Sequence, residues 1–500
     1  MNLKKLKKKC VKKLKKEYRI VRNDLSLSDV RKRAIPVAEQ LISLSEGKEK
    51  AWKDEQVKQQ LEELFSLCKE NYMLLCDPKF MPYLEKLFLD TWEMEKQVDD
   101  AEMKQVVERF ISFENETIRK RLMKYYLKGQ LPRIYAEAAK KPMEKKTVFL
   151  QPTRRLNDSC KLIFRRLKEE TEYEPHLHEL LRNQVPRCCH FFLAKRFIED
   201  VATCKAVFIH ESNNIMSHIK FREGQKVIQL WHGCGVLKKI GLDTYGREHY
   251  KSMKSYLEYP EYNYFSMVTI ASPALTDLFS RFMGIDKESG VIQPIGVSRT
   301  DVFFDEEYIK DSFDSLHRIV PQSVGKKVIL YAPTYRGLTP HRYTPDCLDI
   351  GAFYEAFSKD YILVFKHHQT VKQLPEIPEE YKDFAFNLTH VDGLDINKLM
   401  TVADVCISDY SSVVYEYSLF EKPLLYYVYD YDEYTSDRGI YLEYLEDTPG
   451  PKCRTNEEMI DYIKNLDTKF NKQEITDFRN KYMSACDGHA TDRIMAYALS

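Results

Sequence analysis

From Leu27 to Lys128 the apolar residues recur every three or four positions. Leu61, Leu64, Phe65 and Cys68 share one helical face, as do Tyr83, Leu84, Leu87 and Phe88, and then Val106, Val107 and Phe110. Glycine is almost absent and β-branched runs are few, which predicts three or four packed helices. At Lys145 the texture changes. Short, nearly continuous apolar runs now alternate with amphipathic segments: Thr147–Gln151, Ala206–His210, Val227–Trp231, Met267–Ala271 and Val291–Ile295. After a charged stretch near Asp305–Asp314 a second series begins with Lys327–Tyr331, Ile362–Lys366, Phe386–Val391, Asp404–Ile407 and Leu424–Tyr429. Helical periodicity returns near Glu457–Asn465, Ile475–Met483 and Thr491–Leu499. Strand–helix alternation with fully apolar strands predicts parallel sheets covered on both faces. Two series of similar length predict two doubly wound α/β domains rather than one barrel. The expected boundaries are a segment over 1–22, a helical region over 23–140, and Rossmann-like domains over 141–305 and 306–500.

Composition narrows the classes. Hydrophobic residues make up 43% and charged residues 31% of the 500 positions, which excludes a collagen-like fibre and a mostly disordered chain. The longest strongly apolar stretch, Pro423–Tyr429, is far below the ~18 residues of a membrane-spanning helix. The basic N-terminus is not followed by an apolar core and a small-residue cleavage site, so no signal peptide is expected. Twelve cysteines without a C-x-x-C pair read as reduced, mostly buried thiols of a cytoplasmic protein.

The net charge of +1 hides an asymmetry, because residues 1–20 carry +9 and the remaining 480 sum to −8. A globally basic nucleic-acid binder would not be built this way, and no nucleic-acid partner is expected. In residues 1–20, Leu3, Leu6, Cys10, Leu14 and Tyr18 keep helical spacing among lysines. That pattern suits an interfacial helix on an anionic membrane surface; a solvated charge run or a nucleic-acid arm is the bland alternative.

Ligands of doubly wound folds sit at the carboxyl ends of the strands, so chemistry is sought immediately after each apolar run. After Val227–Trp231 come His232-Gly233-Cys234-Gly235 and Lys238-Lys239. A histidine at a strand exit, followed by glycines that let backbone approach a ligand, is a candidate general base. After Lys327–Tyr331 come Thr334 and Arg336 in a Pro/Gly-bounded loop, a hydroxyl and a guanidinium suited to an anion. After Ile362–Phe365 come Lys366, His367 and His368. Neighbours in extended chain face opposite sides, so one histidine is expected to pack and the other to face the site. After Asp404–Ile407 come Ser408-Asp409-Tyr410-Ser411-Ser412 and, further on, Glu416, at a strand-to-helix turn that suits a phosphate. Arg438-Gly439 adds another guanidinium beside a glycine. Neither a G-x-x-x-x-G-K-[ST] loop nor a strand-following G-x-G-x-x-G is present, which disfavours a kinase, an ATPase and a typical NAD enzyme.

Taken in order, these segments resemble the CDP-glycerol glycerophosphotransferase family, the teichoic acid polymerases and primases of Gram-positive bacteria. The resemblance is carried by Gln229-Leu230-Trp231-His232-Gly233 with Lys238-Lys239-Ile240-Gly241, by Leu330-Tyr331-Ala332-Pro333-Thr334-Tyr335-Arg336, and by Lys366-His367-His368. It continues through Ser408-Asp409-Tyr410-Ser411-Ser412, Arg438-Gly439-Ile440-Tyr441 and Thr448-Pro449-Gly450-Pro451, and covers roughly residues 145–465. The family's K-x-H-P stands here as Lys366-His367-His368-Gln369, and its G-x-P-R-x-D as Gly296-Val297-Ser298-Arg299-Thr300-Asp301.

The resemblance implies a GT-B-like fold, two Rossmann-type domains around a cleft, with CDP-glycerol or CDP-ribitol bound mainly by the C-terminal one. It implies transfer of the alditol phosphate to the terminal hydroxyl of a lipid-linked acceptor with release of CMP, at the inner face of the cell membrane. In that reading His232 and His368 are catalytic, and Gly233, Lys238, Thr334, Arg336, Lys366, Asp409, Ser411, Ser412, Glu416, Arg438 and Gly439 bind substrate. No resident metal is expected and magnesium is supportive at most, since the motifs offer cations and N–H groups rather than a carboxylate cluster. Two rivals stand beside it. A GT-B glycosyltransferase using a nucleotide sugar shares the sheets and anion loops, and a donor panel separates the two. A membrane-associated polymer-binding scaffold would release no CMP.

Overall fold

The structure is a computed structural model that describes residues 27–152, 154, 156–245, 252–337, 342–345, 347–441 and 444–500, without the side chains of 436–438 and 444–445. The basic segment over 1–22 therefore lies outside the described residues. Among the described residues twelve strands form: β1 (Lys146–Gln151), β2 (Glu174–Glu179), β3 (Ala206–Ile209), β4 (Lys226–Gln229), β5 (Met267–Thr269), β6 (Ile292–Gln293), β7 (Lys327–Tyr331), β8 (Tyr361–Phe365), β9 (Ala385–Asn387), β10 (Val405–Ser408), β11 (Leu424–Tyr427) and β12 (Lys452–Cys453). They make two six-stranded sheets, ordered β2-β1-β3-β4-β5-β6 and β12-β11-β10-β7-β8-β9. The expected α/β architecture of two doubly wound parallel sheets after a helical region is what the chain adopts.

All ten apolar runs became strands. The two strands that the pattern did not predict have physical reasons for escaping it. β2 reads Glu-Pro-His-Leu-His-Glu and is an edge strand, partly or fully exposed along its length; with one side lacking a neighbour it needs no apolar run, and a proline is tolerated. β12 is two residues long, too short for any period.

By packing, the chain divides into two compact units. Of the described residues, the first comprises those up to Leu156 with Tyr173–Val207 and Asn213–Gln225. Its helices start at side-chain caps: Asp54, Asp100 and Asn115 each accept N–H groups from the first turns of Glu55–Glu70, Ala101–Ser112 and Glu116–Tyr125. Such a cap is worth about 1 kcal/mol. The predicted apolar faces meet at Phe110, whose ring centroid lies 4.8 Å from Phe65 and 5.0 Å from Phe88. There are more helical pieces than the three or four expected, because short ones such as Met81–Glu85, Met94–Gln97 and Leu131–Ala138 intervene. In the last of these, Tyr135 is buried and its hydroxyl donates to Gln225 Oε1 at 2.6 Å while accepting the Arg222 N–H at 2.9 Å.

The second unit comprises Asn157–Glu172, Phe208–Ser212 and Lys226–Ser500. In its C-terminal sheet, Ile329, Leu363, Phe365, Ile407 and Leu425 pack with Phe353, Phe357 and Met459 of the covering helices. The chain runs from β7 outward through β8 and β9, then returns to β10 on the other side of β7. Adjacent connections therefore diverge at the carboxyl ends of β7 and β10, the switch point where such folds hold ligands. Thr334–Arg336 and Asp409–Glu416 emerge there. Among the described residues no helix is long and apolar enough to cross a membrane.

Candidate active site

Every residue of the site belongs to the second unit. It begins with an unusual turn at the end of β4. The backbone N–H of Trp231 donates to the Gln229 side chain at 2.8 Å, and Trp231 sits at φ +56°, in the left-handed region. For a bulky residue this costs about 1–3 kcal/mol and persists only when the surroundings over-determine it. Here the indole packs against Phe279 and Phe282, with ring centroids 5.6 and 5.4 Å away. The turn swings His232 outward, where its ring stacks on Trp231 at 4.7 Å and keeps solvent access.

His232 Nδ1 lies 3.3 Å from the carbonyl oxygen of His210. A carbonyl only accepts, so Nδ1 carries the proton and Nε2 keeps a bare lone pair. Protein crowded around the ring holds the imidazole below its ordinary pKa, although Glu211 and the His210 carbonyl pull the other way. The ring is neutral at pH 7, with the tautomer that a general base requires.

The following loop is held from two sides. Arg299 donates from Nη1 to the His232 carbonyl at 2.7 Å and from Nη2 to Asn397 at 2.9 Å. The buried Glu416 accepts the Cys234 N–H at 3.2 Å, and its Oε1 lies 3.7 Å from Arg299. Gly233 lets this loop pass Ser412, whose hydroxyl would be 3.4 Å from a Cβ there. At Gly235 a Cβ would sit 2.4 Å from the Tyr415 ring. Gly235→Ala is therefore expected to displace the loop and to destabilise the protein by about 1–3 kcal/mol, with a matching loss of activity. A melting temperature and turnover equal to wild type would show that the close approach is unimportant.

Lys238 and Lys239 continue the loop and pair with the segment after helix Tyr431–Arg438. Lys238 bridges Ile440, and the Lys239 N–H donates to Gly439 O at 3.2 Å. The Lys238 ammonium lies 5.4 Å from the Tyr434 ring centroid and 6.0 Å from that of Tyr335. Gly439, at φ +72°, ends the helix. The Arg438 side chain, expected to bind substrate, is outside the described set.

The switch-point residues form a network. Asp409 accepts from the Thr334 N–H at 2.8 Å, from its hydroxyl at 2.9 Å and from Arg336 Nη1 at 3.1 Å. Arg336 also makes a two-pronged contact with Asp430, at 2.7 and 3.1 Å, and Tyr410 donates to the same carboxylate at 3.0 Å. Burial opposes the charge on Arg336, but Asp409 and Asp430 outweigh it and raise its pKa; burial pushes the Asp409 carboxyl up despite that cation. Thr334, Arg336 and Asp409, the expected anion ligands, thus hydrogen-bond to one another at the switch point. Lys366 is a brace, donating to the carbonyls of Leu388, Thr389 and Leu394 at 2.7, 3.2 and 2.7 Å. Ser411 accepts the Val413 N–H at 3.4 Å, and Ser411 and Ser412 are both half-buried at the start of helix Val413–Ser418.

The two histidines after β8 divide as alternation requires. His367 is buried and meets Thr344 at 2.9 Å. His368 is exposed, with its ring 4.9 Å from Tyr335. Arg342 lies over that same tyrosine, 4.3 Å from the ring centroid. Arg342 and the roles of Trp231 and Arg299 escaped the sequence reading. Arg299 lay inside a quoted motif; Arg342 follows no strand and stands in no motif, so only the folded chain brings it here. Among the described residues no group of three or more His, Cys, Asp or Glu side chains is arranged to hold a metal ion.

Comparison with known proteins places the chain in a family. The sequence model of a family described as CDP-Glycerol:Poly(glycerophosphate) glycerophosphotransferase matches residues 134–500. A teichoic acid poly(ribitol-phosphate) polymerase of Bacillus spizizenii is 33% identical over 301 residues, which are 59% of this chain and 46% of that one. A teichoic acid glycerol-phosphate primase of Bacillus subtilis is 30% identical over 286 residues, 57% of this chain and 70% of that one. The chain spans about half the length of the ribitol-phosphate polymerases it matches. Among solved structures, the wall teichoic acid polymerase TagF superposes with a TM-score of 0.61 at 21% identity, over 77% of this chain and 98% of that one. The shared fold is GT-B-like.

Proposed function

The chain belongs to the CDP-glycerol:poly(glycerophosphate) glycerophosphotransferase family, and on that premise we propose that it transfers glycerol phosphate or ribitol phosphate from a CDP-alditol to the terminal hydroxyl of a lipid-linked acceptor. CMP is released, and the product is a teichoic acid or a related surface polymer. The observation that carries this reading is His232: a neutral imidazole with a bare Nε2, set at a strand end in the same unit as the cationic Lys238, Arg342 and Arg438 and the N–H-donating His368.

The acceptor hydroxyl oxygen attacks the phosphorus that carries the alditol. A new P–O bond forms as the bond to the bridging diphosphate oxygen breaks, and that electron pair leaves on CMP. Nε2 of His232 takes the hydroxyl proton. Phosphoryl transfer of this kind depends on positioning and charge stabilisation, and the cations meet the charge that grows on CMP. His368, Ser411 and Ser412 contribute donors at the diphosphate, while Gly233 and Gly439 keep backbone close. Thr334, Arg336, Asp409, Lys366 and Glu416 act from behind, by holding these loops. Incubating the purified protein with CDP-glycerol, CDP-ribitol and a panel of nucleotide sugars, then measuring CMP and weighing the products, tests the reading. Release of a nucleoside diphosphate from a nucleotide sugar, with no CMP from either alditol, would overturn it.

Residues 1–22 give the same enzyme a membrane address at the inner face of the cell membrane. Each basic residue near an anionic surface adds at most about 1 kcal/mol, so several together hold a protein reversibly. Deleting residues 1–20 is expected to release the protein from phosphatidylglycerol vesicles and to slow transfer to a lipid-linked acceptor, with turnover of a short soluble acceptor unchanged. Equal vesicle binding with and without the segment would move the contact elsewhere on the protein.

A further inference from the structure

A hydrogen-bond chain joins His368 to Arg342 through Thr370, a residue with no part in the scheme above. Arg342 donates from Nη1 to Thr370 Oγ1 at 3.1 Å. Thr370 Oγ1 lies 2.7 Å from His368 Nδ1, and the Thr370 backbone N–H lies 3.3 Å from the same nitrogen. The direction of every link follows from what each group can do. A guanidinium has no lone pair to offer, so the Thr370 oxygen accepts from Arg342. A backbone N–H only donates, so Nδ1 accepts from it, and the Thr370 hydroxyl proton is left to turn toward Nδ1 as well. With donors on Nδ1, the single proton of the neutral ring must reside on Nε2.

His232 has the opposite arrangement. Its Nδ1 faces a carbonyl, so its proton is on Nδ1 and its Nε2 is bare. The two histidines therefore hold different tautomers, each set by what sits on Nδ1. A bare Nε2 can take a proton, and an Nε2–H can only donate toward an anion. Separation of acid and base roles by environment is a recurring way to assign catalytic groups.

We propose that Thr370 and Arg342 are positioning residues that fix His368 as an Nε2–H donor to a diphosphate oxygen of the nucleotide substrate, and that Arg342 adds its own positive charge beside that contact. Arg342 is suited to both tasks. Its Nε is buried without a hydrogen-bond partner, and its guanidinium is stacked on Tyr335, the ring that His368 also touches. Among the described residues no carboxylate pairs with it. Crowding around His368, together with the positive charges of Arg342 and Lys238, pushes the imidazole down to about 4, which keeps the ring neutral at working pH. The diphosphate contact rests on the transferase reading; the tautomer does not.

The test is nitrogen NMR of the full chain with labelled histidine, with the His368 signals assigned by their loss in His368→Gln. Wild type at pH 7 is expected to show His368 neutral and protonated at Nε2. Thr370→Val should give a mixture of tautomers and lower kcat/KM for the CDP-alditol about five- to tenfold, the worth of one neutral hydrogen bond. Thr370→Ser should restore both. Arg342→Gln should weaken binding of the CDP-alditol by calorimetry more than Thr370→Val does, since it removes a charge as well. An Nδ1–H tautomer in wild type overturns the proposal without recourse to any variant, and so does a Thr370→Val protein with wild-type tautomer and kcat/KM. If the wild-type protein releases no CMP from either CDP-alditol, the transferase reading falls and the diphosphate contact with it, whereas an Nε2–H signal in that same sample would still uphold the tautomer.

Discussion

Replacing His232 with alanine is expected to cut turnover at least about 10²-fold while leaving CDP-alditol binding nearly unchanged, because the proposed general base is worth about 10²–10⁴ in rate and, in that proposal, touches the acceptor rather than the donor. The tautomer of His232 sharpens this expectation. The proton on Nδ1 is held by the His210 carbonyl, so Nε2 is the nitrogen that works, and His232→Gln cannot replace it because an amide is no base at neutral pH. The ring's pKa is depressed, so the base is already deprotonated at pH 7. Activity should be flat through neutrality and fall only as pH drops through that depressed value, below the ordinary ~6.5 of a free imidazole. Binding that weakens in step with rate would place His232 on the donor instead. A kcat/KM profile whose acid limb lies above 6.5 would mean that another group is the base.

The parts of this site that were legible in the sequence are those tied to strand ends. Nearly continuous apolar runs located β4, β7, β8 and β10, and His232, Thr334, His368 and Asp409 follow them directly. Alternation correctly separated His367 from His368, one buried and the other exposed. Side-chain partnership was not legible. The Arg336 guanidinium looked available for an anion, yet Asp430 lies 94 residues further on and reaches it in the fold. The same holds for Lys366, whose carbonyl partners come from the segment after β9. Arg342 and the left-handed turn at Trp231 escaped for different reasons. Arg342 reaches Thr370 across a loop that has no period to read. A left-handed φ at a tryptophan is disfavoured locally and exists only because Gln229, Phe279 and Phe282 impose it.

The network around Arg336 makes a second large effect predictable, one of stability. Arg336→Ala would leave Asp409, which is fully enclosed, and Asp430 without their shared cation. Removing one partner of a buried ion pair typically destabilises by about 3–5 kcal/mol, since the charge left behind is uncompensated. Arg336→Lys should fall between, keeping the charge but losing the planar fork that meets Asp430 in two places. The pH dependence gives a separate check. Burial already raises the Asp409 carboxyl with Arg336 present, and without that cation it rises further. A carboxyl whose pKa is higher folded than unfolded binds protons preferentially in the folded state, so the variant's deficit should shrink as pH falls from 7 toward 5. Denaturant melts of both proteins at the two pH values measure this. A deficit of the same size at pH 7 and pH 5 would remove the stranded carboxylates as its cause. Wild-type melting together with weakened CDP-alditol binding would make Arg336 a ligand of the diphosphate rather than the brace beneath it.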